Sequence, residues 1–167
     1  MRYDGRHKRD DYLTEVLSRV VEWVPVCPEV EVGMGIPREP IRLVGRATNP
    51  RLIGEQSGTD WTEPMRRYAL TRVKQLARLH LSGYILKKDS PSCGISRVRV
   101  YATQGARTGA MRDGRGLFAR VLLEALPLLP VEDEDRLRDP VVRERFIERV
   151  FAYPYVRATA RHARRST

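Results

Sequence analysis

The sequence predicts an α/β fold: a three-layer, Rossmann-like parallel sheet flanked by helices, with its first strand absent. Short apolar runs alternate along the chain with longer segments in which apolar residues recur every three or four positions. Strands that alternate with helices favour a largely parallel sheet. A domain of this kind usually opens on a buried strand, whereas this chain opens on the polar turn Arg2-Tyr3-Asp4-Gly5 and then enters a helix.

The first third of the chain contains one predicted helix, one predicted strand and a long irregular region. Residues 10–21 are predicted to be helical because their apolar positions repeat with a helical period: Leu13, Val16, Leu17, Val20 and Val21. Residues 23–27 form a short apolar run that we interpret as a buried strand. Region 31–60 is rich in glycine and proline and is predicted to be irregular, with a loop over 36–44 that enters a short strand.

The middle of the chain predicts a helix followed by a strand. Thr62 is a suitable N-cap, and Pro64 fits the first turn. One face of this helix is apolar and carries Met65, Tyr68, Ala69, Val73, Leu76 and Ala77. Gly83 is predicted to end the helix, and residues 84–87 then read as a strand.

The last third predicts two helices and one strand. Residues 117–125 have a helical apolar stripe, residues 128–131 are interpreted as a strand, and a final helix begins at 139–140. The end of the chain, from 157, is basic and lacks apolar periodicity. We therefore divide the chain into a domain over 1–132 and a C-terminal helix with a basic tail over 133–167, which forms a junction to a second domain absent here.

Composition limits the function classes. The 167 residues suffice for one domain with a sizeable core, and 41% of them are hydrophobic. No apolar stretch is long enough to cross a membrane, and the polar start is not a signal peptide. Two cysteines in such a chain fit the reducing cytoplasm rather than a secreted disulfide scaffold. The net charge of +10 comes mostly from arginine, which fits either a phosphate-bearing partner or solvated helix faces.

Both cysteines lie in short motifs that follow predicted strands. Cys27 belongs to Val26-Cys27-Pro28-Glu29, and Cys93 belongs to Ser90-Pro91-Ser92-Cys93-Gly94. Ligands of parallel α/β sheets bind beyond the carboxyl ends of the strands, so one fold would bring both thiols to the same rim. Two inert core thiols remain the alternative interpretation.

Three kinds of site commonly use cysteines, and the motifs fit two of them better than the first. A structural zinc site needs four ligands, commonly in C-x-x-C pairs, and the sequence has none. Cys93 could be a nucleophile whose pKa is lowered by helix amides and by the charges of Lys87 and Lys88. An iron–sulfur cluster is the third option, with Glu29 orienting or deprotonating water. Glu29 could equally form a loop salt bridge, and Ser90 and Ser92 could either form a turn or donate hydrogen bonds to a substrate.

Four motifs in order resemble a known family. They are Arg2-Tyr3-Asp4-Gly5, Pro25-Val26-Cys27-Pro28-Glu29, Gly35-Ile36-Pro37-Arg38-Glu39-Pro40 and Ser90-Pro91-Ser92-Cys93-Gly94. Together they resemble the YbbK-like family, which includes the thiouracil desulfidases, over roughly residues 1–132. Residues 129–153 further resemble longer members that act on 4-thiouridine in RNA.

The resemblance implies a 4Fe–4S cluster held by three cysteines, whose open iron binds the sulfur of a thiocarbonyl while water replaces that sulfur. Cys27 and Cys93 would be two of the ligands. Glu29 would be the acid–base group, with Ser90 or Ser92 as a hydrogen-bond donor to the substrate. The substrate-binding candidates are Arg2, Tyr3, Asp4 and Arg38.

The family's third cysteine belongs to an N-terminal strand that precedes the Arg2 motif. We expect this chain to lack that ligand and a central strand, and hence to have low stability and little activity of its own.

Three functions follow from these readings. The leading prediction is a cluster-dependent desulfidase that acts on a small thiolated pyrimidine or on thiolated tRNA. The alternative is a basic RNA-binding or accessory module without a cluster. A hydrolase that uses the Cys93 thiol is the third hypothesis, and it would not need iron.

Overall fold

The computed structural model describes residues 12–106 and 108–163. These residues form six strands: β1 (Ile41–Arg46), β2 (Asn49–Gly54), β3 (Tyr84–Leu86), β4 (Val98–Tyr101), β5 (Met111–Gly114) and β6 (Val131–Asp133). Three longer helices accompany them: α1 (Thr62–Arg78), α2 (Leu117–Ala125) and α3 (Pro140–Ala163). The predicted residues Arg2, Tyr3 and Asp4 lie outside this described part of the chain.

The strands form a four-stranded sheet in the order β2-β1-β4-β5 and a separate pair, β3-β6. Strand β1 is antiparallel to β2 and parallel to β4, β5 is antiparallel to β4, and β3 is parallel to β6. The predicted α/β class, with a sheet flanked by helices, is confirmed, but the sheet is mixed rather than largely parallel. A two-residue turn joins β1 to β2, and a connection this short permits only antiparallel pairing.

The three helices lie close to where the sequence predicts them. In α1 the buried face contains Met65, Ala69, Val73 and Leu76 of the predicted apolar stripe, whereas Tyr68 is only partly buried and Ala77 is exposed. Thr62 is the first helical residue rather than the predicted N-cap, and Asp60 Oδ1 accepts a hydrogen bond of 2.9 Å from its amide. The helix ends at Arg78, and His80 adopts the left-handed conformation with φ 55°. The prediction that Gly83 ends this helix is therefore wrong, because His80 makes the reversal that glycine usually makes.

The core forms where α1 and α2 pack together against the inner face of the sheet. Its fully buried members include Leu43, Leu52, Met65, Leu76, Phe118 and Leu122. A smaller cluster contains Phe146 and Val150 of α3 together with Leu137, which precedes that helix, and it packs against Ile85 of β3. Within the described residues, no helix has the combination of length and hydropathy that a membrane span requires.

Three predicted elements have different bounds or a different conformation in the structure. The described part of the 10–21 helix forms only the short helical turns Tyr12–Val16 and Leu17–Arg19. Region 31–60 is not irregular throughout, since it contains the β1–β2 hairpin. The strand predicted over 128–131 begins only at Val131, because residues 127–129 form a turn that holds Leu129 in the core.

Residues 23–27 are not the buried strand that the sequence predicts. No described strand pairs with them, and Trp23 and Val24 are 43% and 38% exposed. A strand is defined by hydrogen bonds to a neighbouring strand, which a local apolar run cannot guarantee. The segment instead leads into Cys27 as an extended connection without regular secondary structure.

Candidate active site

The loop between β3 and β4 carries Ser90, Ser92 and Cys93. It is tied to the start of α2, because the carbonyls of Pro91 and Ser92 each accept a 3.1 Å hydrogen bond from a first-turn amide of that helix. Such bonds satisfy donors that a helix start would otherwise leave unpaired. Gly116 permits this close approach, since a Cβ atom there would lie 2.4 Å from the Ser92 carbonyl. The cysteine loop is therefore held rigidly by the core.

The Cys27 loop is held by Glu31. The Cys27 amide donates a 3.1 Å hydrogen bond to Glu31 Oε1, and the Glu31 amide donates one of 2.9 Å to the Cys27 carbonyl. Glu31 Oε2 in turn accepts a 2.8 Å hydrogen bond from the Tyr68 hydroxyl and lies 3.1 Å from Arg72 Nε. Since Tyr68 and Arg72 belong to α1, Glu31 connects the Cys27 loop to a helix that packs in the core.

The Glu29 carboxylate is the centre at which both loops meet. It is buried, and its Oε2 lies 3.6 Å from Cys27 Sγ. Its Oε1 accepts a short hydrogen bond from Ser92 Oγ and another of 3.3 Å from Ser90 Oγ. Ser92 Oγ also lies 3.7 Å from Cys93 Sγ. One carboxylate thus contacts a thiol of one loop and, through a serine, the thiol of the other.

The two serines have different environments. Ser92 is fully buried, and its hydroxyl lies between Glu29 and Cys93. Ser90 Oγ accepts the amides of Ser92 and Cys93 at 3.3 and 3.1 Å, which is the turn-forming role that the sequence suggested. The two hydroxyls are 2.9 Å apart, so they form one chain of polar atoms that ends at Glu29.

Electrostatics disfavour a free Cys93 nucleophile. Burial, and then the negative charge of Glu29, raise the pKa of the Cys93 thiol well above its ordinary value. The predicted lowering of this pKa is therefore wrong. Lys87 and Lys88 do not supply the expected charge, because Lys87 pairs with Glu134 at 2.8 Å and Lys88 pairs with Asp135 at 2.5 Å. A bound cationic centre is the kind of partner that would favour the thiolate here.

Arg38 connects Glu29 to a neighbouring cavity. Its side chain is only 7% exposed, and Nη2 lies 4.0 Å from Glu29 Oε2. The cavity has a volume of about 220 Å³ and is lined by Arg38, Met34, Ile41, Trp61, Glu39, Gln56 and Ser57. The Glu39 carboxylate accepts amide hydrogen bonds of 2.6 Å from Gln56 and 2.9 Å from Ser57. Hydrogen bonding from Ser57 lowers the pKa of Glu39, so this wall of the cavity is ordered around a charged carboxylate.

The structure thus brings together Cys27, Glu29, Ser90, Ser92 and Cys93, with Arg38 at the edge. In residues 12–106 and 108–163, no group of three or more histidine, cysteine, aspartate or glutamate side chains has the geometry of a metal site. The two unpaired thiols are nevertheless the donor type that binds iron in proteins, and they fit as two of a cluster's ligands.

Sequence reasoning missed three residues of this site. Glu31, Tyr68 and Arg72 support Cys27, although none of them belongs to a cysteine motif. The spacing of Glu31, four residues after Cys27, was the available signal, because a carboxylate one helical turn on can reach back to an amide.

The fold and the site define an α/β protein in which a buried carboxylate lies between two thiols and two hydroxyls. The chain belongs to the 2-thiouracil desulfurase family, whose model matches residues 1–134. The uncharacterised protein YbbK of Bacillus subtilis strain 168 is 30% identical over an alignment of 129 residues, which covers 74% of this chain and 82% of YbbK.

A solved structure shares the fold. The 4Fe–4S-dependent thiouracil desulfidase TudS superposes with a TM-score of 0.61 at 28% identity, covering 83% of this chain and 85% of the TudS chain. The resemblance to the YbbK-like family and its thiouracil desulfidases is confirmed by these matches.

Proposed function

We propose that this protein removes the sulfur of a thiolated pyrimidine by hydrolysis without net redox change, using a 4Fe–4S cluster. The observation that carries the proposal is the position of Glu29, which contacts Cys27 directly and Cys93 through Ser92. The family match and the 4Fe–4S dependence in the name of TudS support the same chemistry.

Cys27 and Cys93 would be two of the ligands that hold the cluster. When bound, the cluster supplies a Lewis-acidic iron that can accept the departing sulfur. Cys93, whose thiol pKa is raised by burial and then by the charge of Glu29, would bind the cluster as a thiolate.

Glu29 is the proposed general base. Its carboxylate takes a proton from the water whose oxygen bonds to the thiocarbonyl carbon, and the carbon–sulfur bond then breaks so that uracil and sulfide result. Ser92 and Ser90 donate to Oε1 and thereby orient the carboxylate, which leaves Oε2 beside Cys27 and Arg38.

The cavity next to Arg38 is the proposed seat of the pyrimidine ring. Trp61, Met34 and Ile41 line this cavity, and an aromatic side chain such as Trp61 is of the kind on which bases stack. Arg2, Tyr3 and Asp4 stay predicted contributors to substrate binding. Either a free thiouracil or a 4-thiouridine in RNA would present the same ring, and the reduced state that the two thiols require suits a cytoplasmic protein.

The test is anaerobic reconstitution with iron and sulfide, followed by assay of 2-thiouracil and 4-thiouridine. We expect Glu29→Gln to retain iron and visible absorption while kcat falls about 100-fold or more. The matched control is Glu55→Gln, which alters a carboxylate paired with Arg42 outside the site. Sulfide release by Glu29→Gln at the wild-type rate would contradict the role of Glu29. A protein that takes up no iron would favour the basic RNA-binding module instead.

A further inference from the structure

Three consecutive acids at the end of strand β6 are buried. Glu132, Asp133 and Glu134 are only 8%, 7% and 6% exposed. Buried carboxylates are costly, because they lose their hydration and repel one another unless partners compensate them. The groups that these acids contact therefore indicate what the arrangement is used for.

Glu134 is bonded to the start of the loop that carries Cys93. Its Oε2 accepts a 2.7 Å hydrogen bond from the Lys88 amide, and its Oε1 lies 2.8 Å from Lys87 Nζ. The Glu134 amide donates a 3.0 Å hydrogen bond to the carbonyl of Leu86, the last residue of β3. The side chain and the backbone of Glu134 thus hold the chain at the point where β3 becomes the loop.

The residues that Glu134 holds lie directly before the candidate site. Ser90 is two residues after Lys88, and its hydroxyl accepts a 3.1 Å hydrogen bond from the Cys93 amide. Asp89, which lies between Lys88 and Ser90, has a φ of 57°. This conformation is costly in residues other than glycine and persists only where surrounding contacts impose it. The bond from the Lys88 amide to Glu134 is such a contact.

The neighbouring acid faces the far end of the same loop. Burial is the main cause that raises the pKa of the Asp133 carboxyl, and a hydrogen bond from the Ile95 amide opposes this rise. Ile95 is two residues after Cys93. Successive side chains of a strand point to opposite sides, so one short segment can contact both ends of the loop.

We propose that Glu134 is a positioning residue of the candidate site. It acts through the Lys88 amide on the loop that holds Ser92 and Cys93. Ser92 Oγ bonds to Glu29 and lies 3.7 Å from Cys93 Sγ, so a loop released at Lys88 would move both groups relative to that carboxylate. The proposal rests on the proposed function only for the reaction that this geometry serves.

The test measures how fast each thiol of the cluster-free full chain reacts with iodoacetamide, with the two cysteines quantified separately by mass spectrometry. Cys93 is buried and Cys27 is only partly buried. Release of the loop accelerates Cys93 alone, whereas global unfolding accelerates both thiols. The test variant is Glu134→Ala, and Glu134→Gln is the conservative variant that keeps an oxygen for the Lys88 amide. The matched control is Asp135→Ala, which removes a carboxylate that pairs with the ammonium group of Lys88.

We expect Cys93 in the Glu134→Ala protein to react about tenfold faster or more, which is the effect of losing one hydrogen bond to a charged group. The rate at Cys27 should change by less than about twofold, because the rest of the fold stays closed. Glu134→Gln and Asp135→Ala should react like wild type. In the reconstituted protein, kcat for sulfide release should fall in Glu134→Ala and recover in Glu134→Gln.

Hydrogen exchange of the wild-type chain gives a second measurement that needs no variant. If Glu134 holds the loop through the Lys88 amide, the amides of Lys88 and Cys93 become exposed in the same local opening. The two amides should therefore have the same opening free energy.

Several results would overturn the proposal. They are a wild-type rate for Cys93 in Glu134→Ala, equal acceleration of both thiols, equal acceleration of Cys93 by Asp135→Ala, no rescue by Glu134→Gln, and different opening free energies of the two amides. The labelling and exchange measurements do not need the cluster, so a failed desulfidase assay leaves them readable.

Discussion

Ser90 and Ser92 illustrate how two residues of one motif divide structure and chemistry. Ser90 Oγ accepts two amides of its own turn, whereas Ser92 Oγ lies between Glu29 and the Cys93 thiol. Ser90 therefore forms the loop and makes only a 3.3 Å hydrogen bond to Glu29, whereas Ser92 makes the shorter contact with Glu29 and also contacts Cys93.

Alanine variants should separate these roles. We expect Ser92→Ala to lower kcat of the reconstituted protein about tenfold or more with iron content unchanged, because Glu29 loses its closest donor. Ser90→Ala should instead lower the free energy of unfolding by about 1–3 kcal/mol, since two amides lose their acceptor. Steady-state kinetics and urea denaturation measure the two effects. Identical profiles for both variants would contradict the division.

Glu31 acts on Cys27 without belonging to its motif. We expect Glu31→Ala to lose cluster absorption faster in air than wild type, because the Cys27 amide and α1 are no longer joined. Glu31→Gln keeps an acceptor for that amide and should lie between the two. Glu63→Ala, which removes an exposed pair with Arg66, is the control. Equal rates of bleaching in the Glu31→Ala and Glu63→Ala proteins would exclude a positioning role.

Among the elements, α2 and the loop before β4 behave as one unit. The first-turn amides of α2 bond to the carbonyls of Pro91 and Ser92, and the core residue Phe118 anchors the helix behind them. The geometry of the candidate site therefore depends on how closely one helix start approaches one loop.

Gly116 is the position that tests this dependence. An added Cβ would lie 2.4 Å from the Ser92 carbonyl, so we expect Gly116→Ala to cost about 2 kcal/mol or more of folding stability and to displace the serines. Gly105→Ala is the control, since nothing lies within 4 Å of its Cβ, and it should change stability by less than about 0.5 kcal/mol. Denaturation midpoints provide the measurement. A fully stable Gly116→Ala protein would show that the loop can move away.

Asp133 of β6 is a buried acid that makes the folding stability depend on pH. Burial, and then the charges of Glu134 and Glu132, raise the pKa of Asp133 to about 6. Its Oδ1 is buried and has no hydrogen-bond partner among the residues that the structure describes. Between the unfolded value of 3.8 and about 6, the folded state holds more protons than the unfolded state. The stabilising contribution of protonated Asp133 is thus lost as the pH rises through this window.

We expect the Asp133→Asn protein not to lose this stability as the pH rises, because asparagine does not titrate. Relative to wild type, the variant should gain up to about 3 kcal/mol in unfolding free energy between pH 4 and pH 7. Asp113→Asn, at an exposed position, should follow the wild-type curve. Urea denaturation at several pH values gives the comparison, and parallel curves for Asp133→Asn and wild type would contradict the assignment.

The features that the sequence predicted correctly are those that depend on interactions between residues close together in the chain. Periodicity predicted α1, α2 and α3 because helical hydrogen bonds and apolar stripes repeat within a few residues. The cysteine motifs likewise carried the family resemblance, since their turns are local. Only tertiary structure decided that 23–27 lies unpaired, that Glu29 contacts both serines, that Glu31 reaches Tyr68 and that Glu134 bonds to the Lys88 amide. Each of these depends on which remote segment becomes a neighbour, and strand pairing and side-chain contacts across the core are chosen by the fold as a whole rather than by any short stretch of chain.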